Sequence, residues 1–220
     1  MRLILAVFLL MSSSAQVARV APPTKPRESF LQWLARITGI SATSSGLKGD
    51  RTELVGDLWI ARIGQSGGQR LTFEGAYSWP VFSRDDQAII AVRAGELWSV
   101  PVGGGDPAKL SHSPSGLVGV VGTGPDGIVV FTEVEIGLFV SDSASFTPFA
   151  PANKEDKDAI ARMRLPIRIY GNDLSVAQLG SSIVIEKNGK KTDIEIDGEQ
   201  VGEPSVSHKR MQIVYVRIRK

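Results

Sequence analysis

The chain has 220 residues, 42% of them hydrophobic, with 25 basic residues, 23 acidic residues and no cysteine. The nearly balanced charge gives no reason to expect a nucleic-acid partner, and the lack of cysteine excludes disulfides and lipid attachment through a thiol. The length and composition are typical of one globular domain, and the 23 glycines and 12 prolines favour many tight turns over long helices.

Residues 1–15 have the features of a secretory signal peptide. Arg2 is followed by nine apolar residues at 3–11, and the small residues Ser13 and Ala15 stand where a signal peptidase requires them. Nine apolar residues are too few to span a bilayer, although an uncleaved anchor or a buried strand is the alternative. The segment predicts a bacterial protein exported by a Sec-type signal, either periplasmic or secreted, with no membrane span after it.

Residues 16–53 are expected to form a linker that contains one short amphipathic helix. Three prolines within 17–27 favour an extended chain. Residues 28–37 then place apolar side chains at helical spacing, and Gly39 stands where the helix would end. These apolar residues are Phe30, Leu31, Trp33, Leu34 and Ile37. We expect the helix to pack on the following domain, with a membrane-surface position as the alternative, and we expect a loop or weak strands at 40–55.

From residue 54 the chain follows a repeat. The phrase Gly-Asp-Leu-Trp-Ile-Ala at 56–61 returns as Gly-Glu-Leu-Trp-Ser-Val at 95–100, and weaker copies follow at 137–140 and 182–185. A unit of short strands that returns every 40 to 45 residues is typical of propeller blades. The aromatic residues Trp59, Trp98 and Phe139 occupy equivalent positions, so we interpret them as blade-core residues rather than as a sugar-stacking platform.

A second repeat distance links the two ends of this region. Pro-Val-Phe-Ser at 80–83 has an echo in Pro-Ser-Val-Ser at 204–207, and the apolar run at 89–93 matches 213–217, both after 124 residues. This distance is close to three repeat periods. It predicts that residues 203–217 supply inner strands to a blade whose outer strands lie within 57–72, which would fasten a ring and hide its edges. The alternative is an open arc, which a partner or a second copy would complete.

The repeat resembles that of TolB-like β-propellers over residues 54–217. The segment 79–86 is similar to the first half of that repeat, with Arg84 and Asp86 in place of proline and glycine, and the segments 95–98 and 103–105 are similar to its second half. The resemblance implies an all-β protein with a β-propeller of about four to five short-stranded blades, or an incomplete six-bladed ring, over 54–220. It also implies a scaffold or assembly role in the periplasm.

The sequence assigns no catalytic, cofactor-binding or metal-binding residue. His112 and His208 are interpreted as surface turn residues, and the glycine-rich stretch 103–106 as a turn, because no helix follows it to aim amides at a phosphate. The paired carboxylates match no known calcium loop and define no glycosidase geometry. These are Asp85 with Asp86, Glu133 with Glu135, and Asp193 with Asp197.

The repeat is interrupted at 151–166, where we expect a solvated loop over the charged run 151–158 and one or two helical turns over 158–164. A partner-binding role for this loop is the alternative. Together these patterns predict an exported, non-enzymatic scaffold that binds a protein partner. A propeller associated with a hydrolase, or a module that binds a carbohydrate or small ligand, is the alternative. The function is expected where the repeat breaks, at 28–37, at 151–166 and at the channel rim.

Overall fold

The computed structural model of the chain describes residues 28–39, 54–65, 68–162, 167–170, 174–179, 181–194, 199–209 and 211–218. The predicted signal peptide, the proline-rich linker and the weak strands expected within 40–53 lie outside these residues. In the described part, the helices are α1 (Phe30–Thr38) and α2 (Lys154–Arg162). Its strands are β1 (Asp57–Arg62), β2 (Gln69–Arg70), β3 (Ser78–Phe82), β4 (Ala88–Arg93), β5 (Glu96–Pro101), β6 (Ala108–Lys109), β7 (Leu117–Gly124), β8 (Gly127–Thr132), β9 (Ile136–Val140), β10 (Ser145–Pro148), β11 (Ile167–Tyr170), β12 (Leu174–Leu179), β13 (Ser182–Lys187), β14 (Lys190–Ile194), β15 (Gln200–Val206) and β16 (Gln212–Ile218).

The described strands form four antiparallel sheets of four strands each, which confirms the all-β class. Three sheets follow the chain, in the orders β3-β4-β5-β6, β7-β8-β9-β10 and β11-β12-β13-β14. The fourth has the order β15-β16-β1-β2, and we call it the mixed sheet because it takes strands from both ends of the described domain. In each order we call the first-named strand the first strand.

The mixed sheet confirms the predicted pairing of residues 203–217 with residues 57–72. Strand β16 pairs antiparallel with β1, so that Trp59 lies opposite Tyr215 and Ile60 lies opposite Val214. Strand β15 extends the sheet on one side and β2 on the other. Because β1 and β16 come from opposite ends of the domain, their hydrogen bonds join strands that are remote in sequence.

The repeated phrase occupies the same place in every sheet. Its four copies lie on β1, β5, β9 and β13, each of which is the third strand of its sheet. The Asn-Gly pair between β13 and β14 also behaves as predicted, because Asn188 and Gly189 adopt the positive φ values that a tight hairpin needs. The sequence repeat therefore corresponds to a repeated sheet.

Apolar cores fill the spaces between neighbouring sheets, and the second strands β4 and β16 each contribute to two cores. On β16, Ile213 and Tyr215 face the sheet β11–β14, whereas Val214 and Val216 face the sheet β3–β6. This burial on both faces explains why β4 and β16 contain consecutive apolar residues, whereas Ser175 and Gln178 interrupt β12. The sheets therefore pack in the order β11–β14, mixed sheet, β3–β6 and β7–β10.

The first strands of two neighbouring sheets, β3 and β15, each contain a bulge at an equivalent position. Trp79 on β3 and Glu203 on β15 are 124 residues apart, and both adopt a left-handed backbone with φ of 55° and 52°. The buried carboxylate of Glu203 accepts hydrogen bonds from the backbone N–H groups of Trp79 and Leu54. This side chain therefore ties the mixed sheet to the sheet beside it.

Helix α1 confirms the predicted helix of 28–37, with its bounds shifted to 30–38. It begins after Ser29, whose hydroxyl accepts the N–H of Gln32, and it ends at Gly39, which has φ of 70°. The helix packs on β7 and β8, so the expectation that it packs on the domain is confirmed. Its buried apolar residues are Phe30, Leu34 and Ile37, whereas Leu31 is exposed.

Helix α2 corrects the expectation of a loop over 154–158 and confirms the expected helical turns over 158–162, whereas 163–164 lie outside the described residues. It begins at Lys154, and the side chain of Asp156 is only 3% exposed. The Asp156 carboxylate accepts the N–H of Phe30 at 2.8 Å and that of Ala152 at 2.9 Å, so it satisfies an N–H group in the first turn of α1. The charged run did not reveal that Asp156 is buried, because its carboxylate binds the first turn of a helix that is distant in the sequence. Neither helix is long and apolar enough to cross a membrane.

Candidate partner-binding site

One end of the sheets brings together three turns that the sequence places far apart. Strands β3, β7 and β15 all end there, and the residues that follow them lead into β4, β8 and β16. We call this end the rim and define it by residues 82–87, 122–126 and 206–209.

Asp86 connects two of these turns. Its carboxylate accepts the backbone N–H of His208 at 2.7 Å and that of Lys209 at 3.0 Å, so both oxygens are engaged with the mixed sheet. Asp86 itself has φ of 61°, a left-handed conformation that aspartate adopts more readily than most other residues with a side chain. Its side chain therefore joins two neighbouring sheets.

Thr123 connects the third turn to the other two. Its hydroxyl donates to the carbonyl oxygen of Phe82 at 2.6 Å and lies 3.1 Å from Nε2 of His208. Because the hydroxyl proton is used at Phe82, Nε2 of His208 is the donor in the second contact. His208 is exposed in a turn, as predicted, but it also links two sheets. The rim is thus a hydrogen-bonded unit of three sheets.

The neighbouring carboxylate, Asp85, is committed to its own turn. It accepts the hydroxyl of Ser83 at 2.6 Å and the backbone N–H of Gln87 at 3.1 Å. The Ser83 hydroxyl contributes most to lowering the pKa of Asp85, and the Gln87 N–H and the nearby Lys209 add to this effect. Asp85 and Asp86 therefore organise the rim as hydrogen-bond acceptors.

Two cavities flank the Asp86 bridge. The inner one, of about 130 Å³, lies between α1 and the three first strands that end at the rim. It is lined by Thr38, Gly39, Val81, Phe82, Gly122, Thr123, Ser205, Val206, Ser207 and His208. This volume is smaller than the range typical of small-molecule sites, which begins at about 300 Å³.

The outer cavity is larger, about 430 Å³, and lies between the mixed sheet and the sheet β3–β6. It is lined by Arg62, Asp86, Gln87, Val102, Gly103, Ser207, Lys209, Met211 and Gln212. Arg62, Lys209 and Met211 are exposed, and 64% of the Met211 surface faces solvent. The outer cavity therefore combines two cations with an exposed thioether at a rigid rim.

The repeat-breaking segments 28–37 and 151–166 are also brought together. Helices α1 and α2 pack on each other. Beside this contact, Phe149 follows β10, and its ring centroid is 5.2 Å from that of Phe30 and 5.0 Å from that of Trp33. A groove of about 300 Å³ separates α2 from the turn between β8 and β9. In this turn Glu133 and Glu135 are exposed on either side of Val134, which is 91% exposed.

The other predicted site residues lie apart from the rim cavities, except Gly103, which lines the outer one. His112 is exposed, as expected, with its Nδ1 3.0 Å from the carbonyl oxygen of Ser141. The stretch 103–106 is an exposed turn between β5 and β6, and Asp193 is exposed on β14, whereas Asp197 lies outside the described residues. Among the residues that the structure describes, no group of three or more His, Cys, Asp or Glu residues could hold a metal ion.

The equivalent aromatic residues of the third strands differ in burial. Phe139 is buried, as predicted for a core residue, but Trp59 and Trp98 are half-buried beneath arginine side chains. The guanidinium of Arg217 lies 4.2 Å from the ring of Trp59, and that of Arg93 lies 4.8 Å from the ring of Trp98. These contacts are cation–π interactions at equivalent positions, so the tryptophans serve the sheets and leave no free ring for a ligand.

Sequence reasoning missed Arg62, Val102 and Met211 as members of one cavity. Arg62 is the last residue of β1, whereas Val102 and Met211 lie in two separate turns, and no local motif connects the three. The 124-residue distance could have given a partial signal, because it aligns the turn at Asp86 with the turn at Lys209. A comparison of the chain with protein-family models and with curated protein sequences found no match.

Proposed function

We propose that the chain is an exported, non-enzymatic β-propeller scaffold that binds a protein partner through its rim in the bacterial envelope. The observation that carries the proposal is the construction of the rim. Its backbone is held by hydrogen bonds between different sheets, whereas Arg62, Lys209 and Met211 remain exposed beside it. Recognition residues on loops that a rigid scaffold positions are a common arrangement in binding proteins.

The sheets support the propeller part of the proposal. Each described sheet has four antiparallel strands, and each repeats the same phrase on its third strand. One sheet joins both ends of the domain, a device that hides the edges of a propeller. The resemblance of the repeat to TolB-like propellers agrees with this arrangement, and it suggests the periplasm as the compartment together with the signal-like residues 1–15.

The test is recovery of a partner by the purified full chain from an envelope extract of the organism that encodes it, after mild crosslinking. We expect a partner protein to be recovered in an amount nearly equal to that of the chain. We expect the partner to be lost from a variant that carries Arg62→Glu and Met211→Glu in the outer cavity beside the rim. A matched control, Lys154→Glu with Lys190→Glu, changes exposed residues far from the outer cavity and should retain the partner. Recovery of the chain alone, with turnover of a peptide or glycoside panel, would contradict the proposal.

One observation favours a second candidate function, a small-ligand-binding module. The outer cavity of about 430 Å³ lies within the usual range for ligand sites, and it contains both charged and apolar groups. In that case a panel of small anionic ligands, including acidic sugars, would raise the melting temperature of the chain in a concentration-dependent manner. The Arg62→Glu variant would lose this shift.

A further inference from the structure

The outer cavity has the charge and shape to bind one class of protein segment. Arg62 contributes from the end of β1, and Lys209 contributes from the turn between β15 and β16. Neither cation forms an ion pair with another described residue within 4 Å. Exposed cations of this kind attract an acidic partner segment and favour it over neutral or basic segments.

The carboxylates near the cavity do not cancel these charges at the surface. Asp86 lines the cavity, but its two oxygens accept the backbone N–H groups of His208 and Lys209. Asp85 is bonded to Ser83 and Gln87 within its own turn, and the exposed Arg84 precedes it. Arg62 and Lys209 are therefore the charged side chains of the cavity lining for which the described residues provide no ion-pair partner.

Apolar contacts are available between the cations. Met211 is 64% exposed, and Val102 lies on the opposite wall, at the end of β5. A methionine side chain is flexible and polarizable, which suits it to adaptable binding surfaces. The cavity therefore favours a ligand that alternates acidic and apolar side chains over a simple inorganic anion.

The floor of the cavity is ordered by the backbone. The hydroxyl of Ser207 accepts the N–H of Met211 at 3.2 Å and that of Gln212 at 3.1 Å. The carbonyl of Met211 accepts the N–H of Ile63 at 3.0 Å, and the carbonyl of Gln87 accepts the N–H of Val102 at 2.9 Å. Because these bonds already fix the walls, binding would cost little ordering of the site.

We propose that the outer cavity binds an extended acidic segment of a partner protein, with carboxylates at Arg62 and Lys209 and an apolar side chain against Met211 and Val102. This inference rests on the proposed function and specifies the partner chemistry at the same rim. It distinguishes the two ends of the described sheets, since the groove beside α2 carries the two carboxylates of Glu133 and Glu135 and a single cation, Lys157.

The experiment measures fluorescence anisotropy of three labelled octapeptides, which alternate leucine with glutamate, with serine or with lysine, on the full chain. We expect the glutamate peptide to bind at least tenfold more tightly than the other two, with an affinity that falls as salt rises. Arg62→Glu with Lys209→Glu should weaken it at least tenfold, and Met211→Ser should weaken it several-fold. Lys154→Glu with Lys190→Glu should leave the binding unchanged, and unaltered melting temperatures show that each variant is folded.

Equal binding of the three peptides, or equal losses in the rim and control variants, would overturn the inference. Millimolar inorganic phosphate or anionic phospholipid vesicles could instead displace the glutamate peptide from Arg62 and Lys209. That result would also overturn the inference, in favour of a general anion site. The partner-recovery experiment separates this failure from failure of the proposed function. If the chain recovers a protein that the Arg62→Glu, Lys209→Glu variant recovers equally well, the scaffold function stands and the acidic-segment inference fails.

Discussion

Deletion of residues 203–220 is expected to abolish the cooperative unfolding transition of the domain. The deletion removes the whole of β16 and most of β15, and with them the strand that pairs with β1 along its full length. It also removes Ile213 and Tyr215 from one core and Val214 and Val216 from the next. Each of these side chains contributes about 1.5–3 kcal/mol when fully buried, so their combined loss exceeds or approaches the stability of an ordinary domain.

Thermal unfolding followed by circular dichroism and by calorimetry measures this effect. The control is deletion of residues 219–220 alone, which leaves β15 and β16 intact and should preserve the transition. A chain that lacks 203–220 and still melts with the midpoint and enthalpy of the full chain would show that the mixed sheet does not hold the domain together.

Trp79→Ala is expected to lower the free energy of unfolding by about 3–5 kcal/mol, the usual cost of removing a large buried aromatic side chain. Trp79 lies on β3 and is 5% exposed. Its ring centroid is 6.0 Å from that of Phe131, on the sheet β7–β10. A Cβ at Gly119 would come within 2.4 Å of the indole, so the first strand β7 leaves room for this ring. The substitution would therefore remove a contact between two sheets and leave a cavity there.

The matched control is Trp98→Ala, which removes the same side chain from the third strand of the same sheet. Trp98 is half-buried beneath Arg93, so we expect a smaller cost of about 1–2 kcal/mol. Urea unfolding with a common m-value gives both differences. Equal costs for the two substitutions would mean that Trp79 has no special role between the sheets.

The parts of the fold that the sequence predicts are those encoded by the repeat. The phrase on β1, β5, β9 and β13 and the 124-residue distance between Ser83 and Ser207 both correspond to repeated structure. Ser83 and Ser207 each make a backbone pair across their turn, with Ala88 and Gln212, which are themselves 124 residues apart. A repeated pattern is predictive because equivalent positions meet the same packing demands in each sheet.

The remaining features depend on contacts that no local pattern records. Asp156 resembles a solvated charge in the sequence, yet it accepts a hydrogen bond from Phe30, 126 residues away. One cavity contains Arg62, Met211 and Val102 because the mixed sheet brings the two ends of the described domain together beside the sheet β3–β6. The sequence did not single out Arg62 and Lys209 either, because each is an ordinary exposed residue until the fold brings the two together.

The central claim is that the two ends of the domain share one sheet and thereby build the rim, and an engineered disulfide tests it directly. Arg62 and Gln212 lie opposite each other on β1 and β16, and the chain has no cysteine of its own. Directly opposed residues of antiparallel strands lie within disulfide distance. We predict that Arg62→Cys with Gln212→Cys oxidises rapidly to a crosslinked monomer, whereas Arg62→Cys with Lys190→Cys stays reduced. Failure of the first pair to crosslink in the folded chain, or equal crosslinking of both pairs, would contradict the mixed sheet.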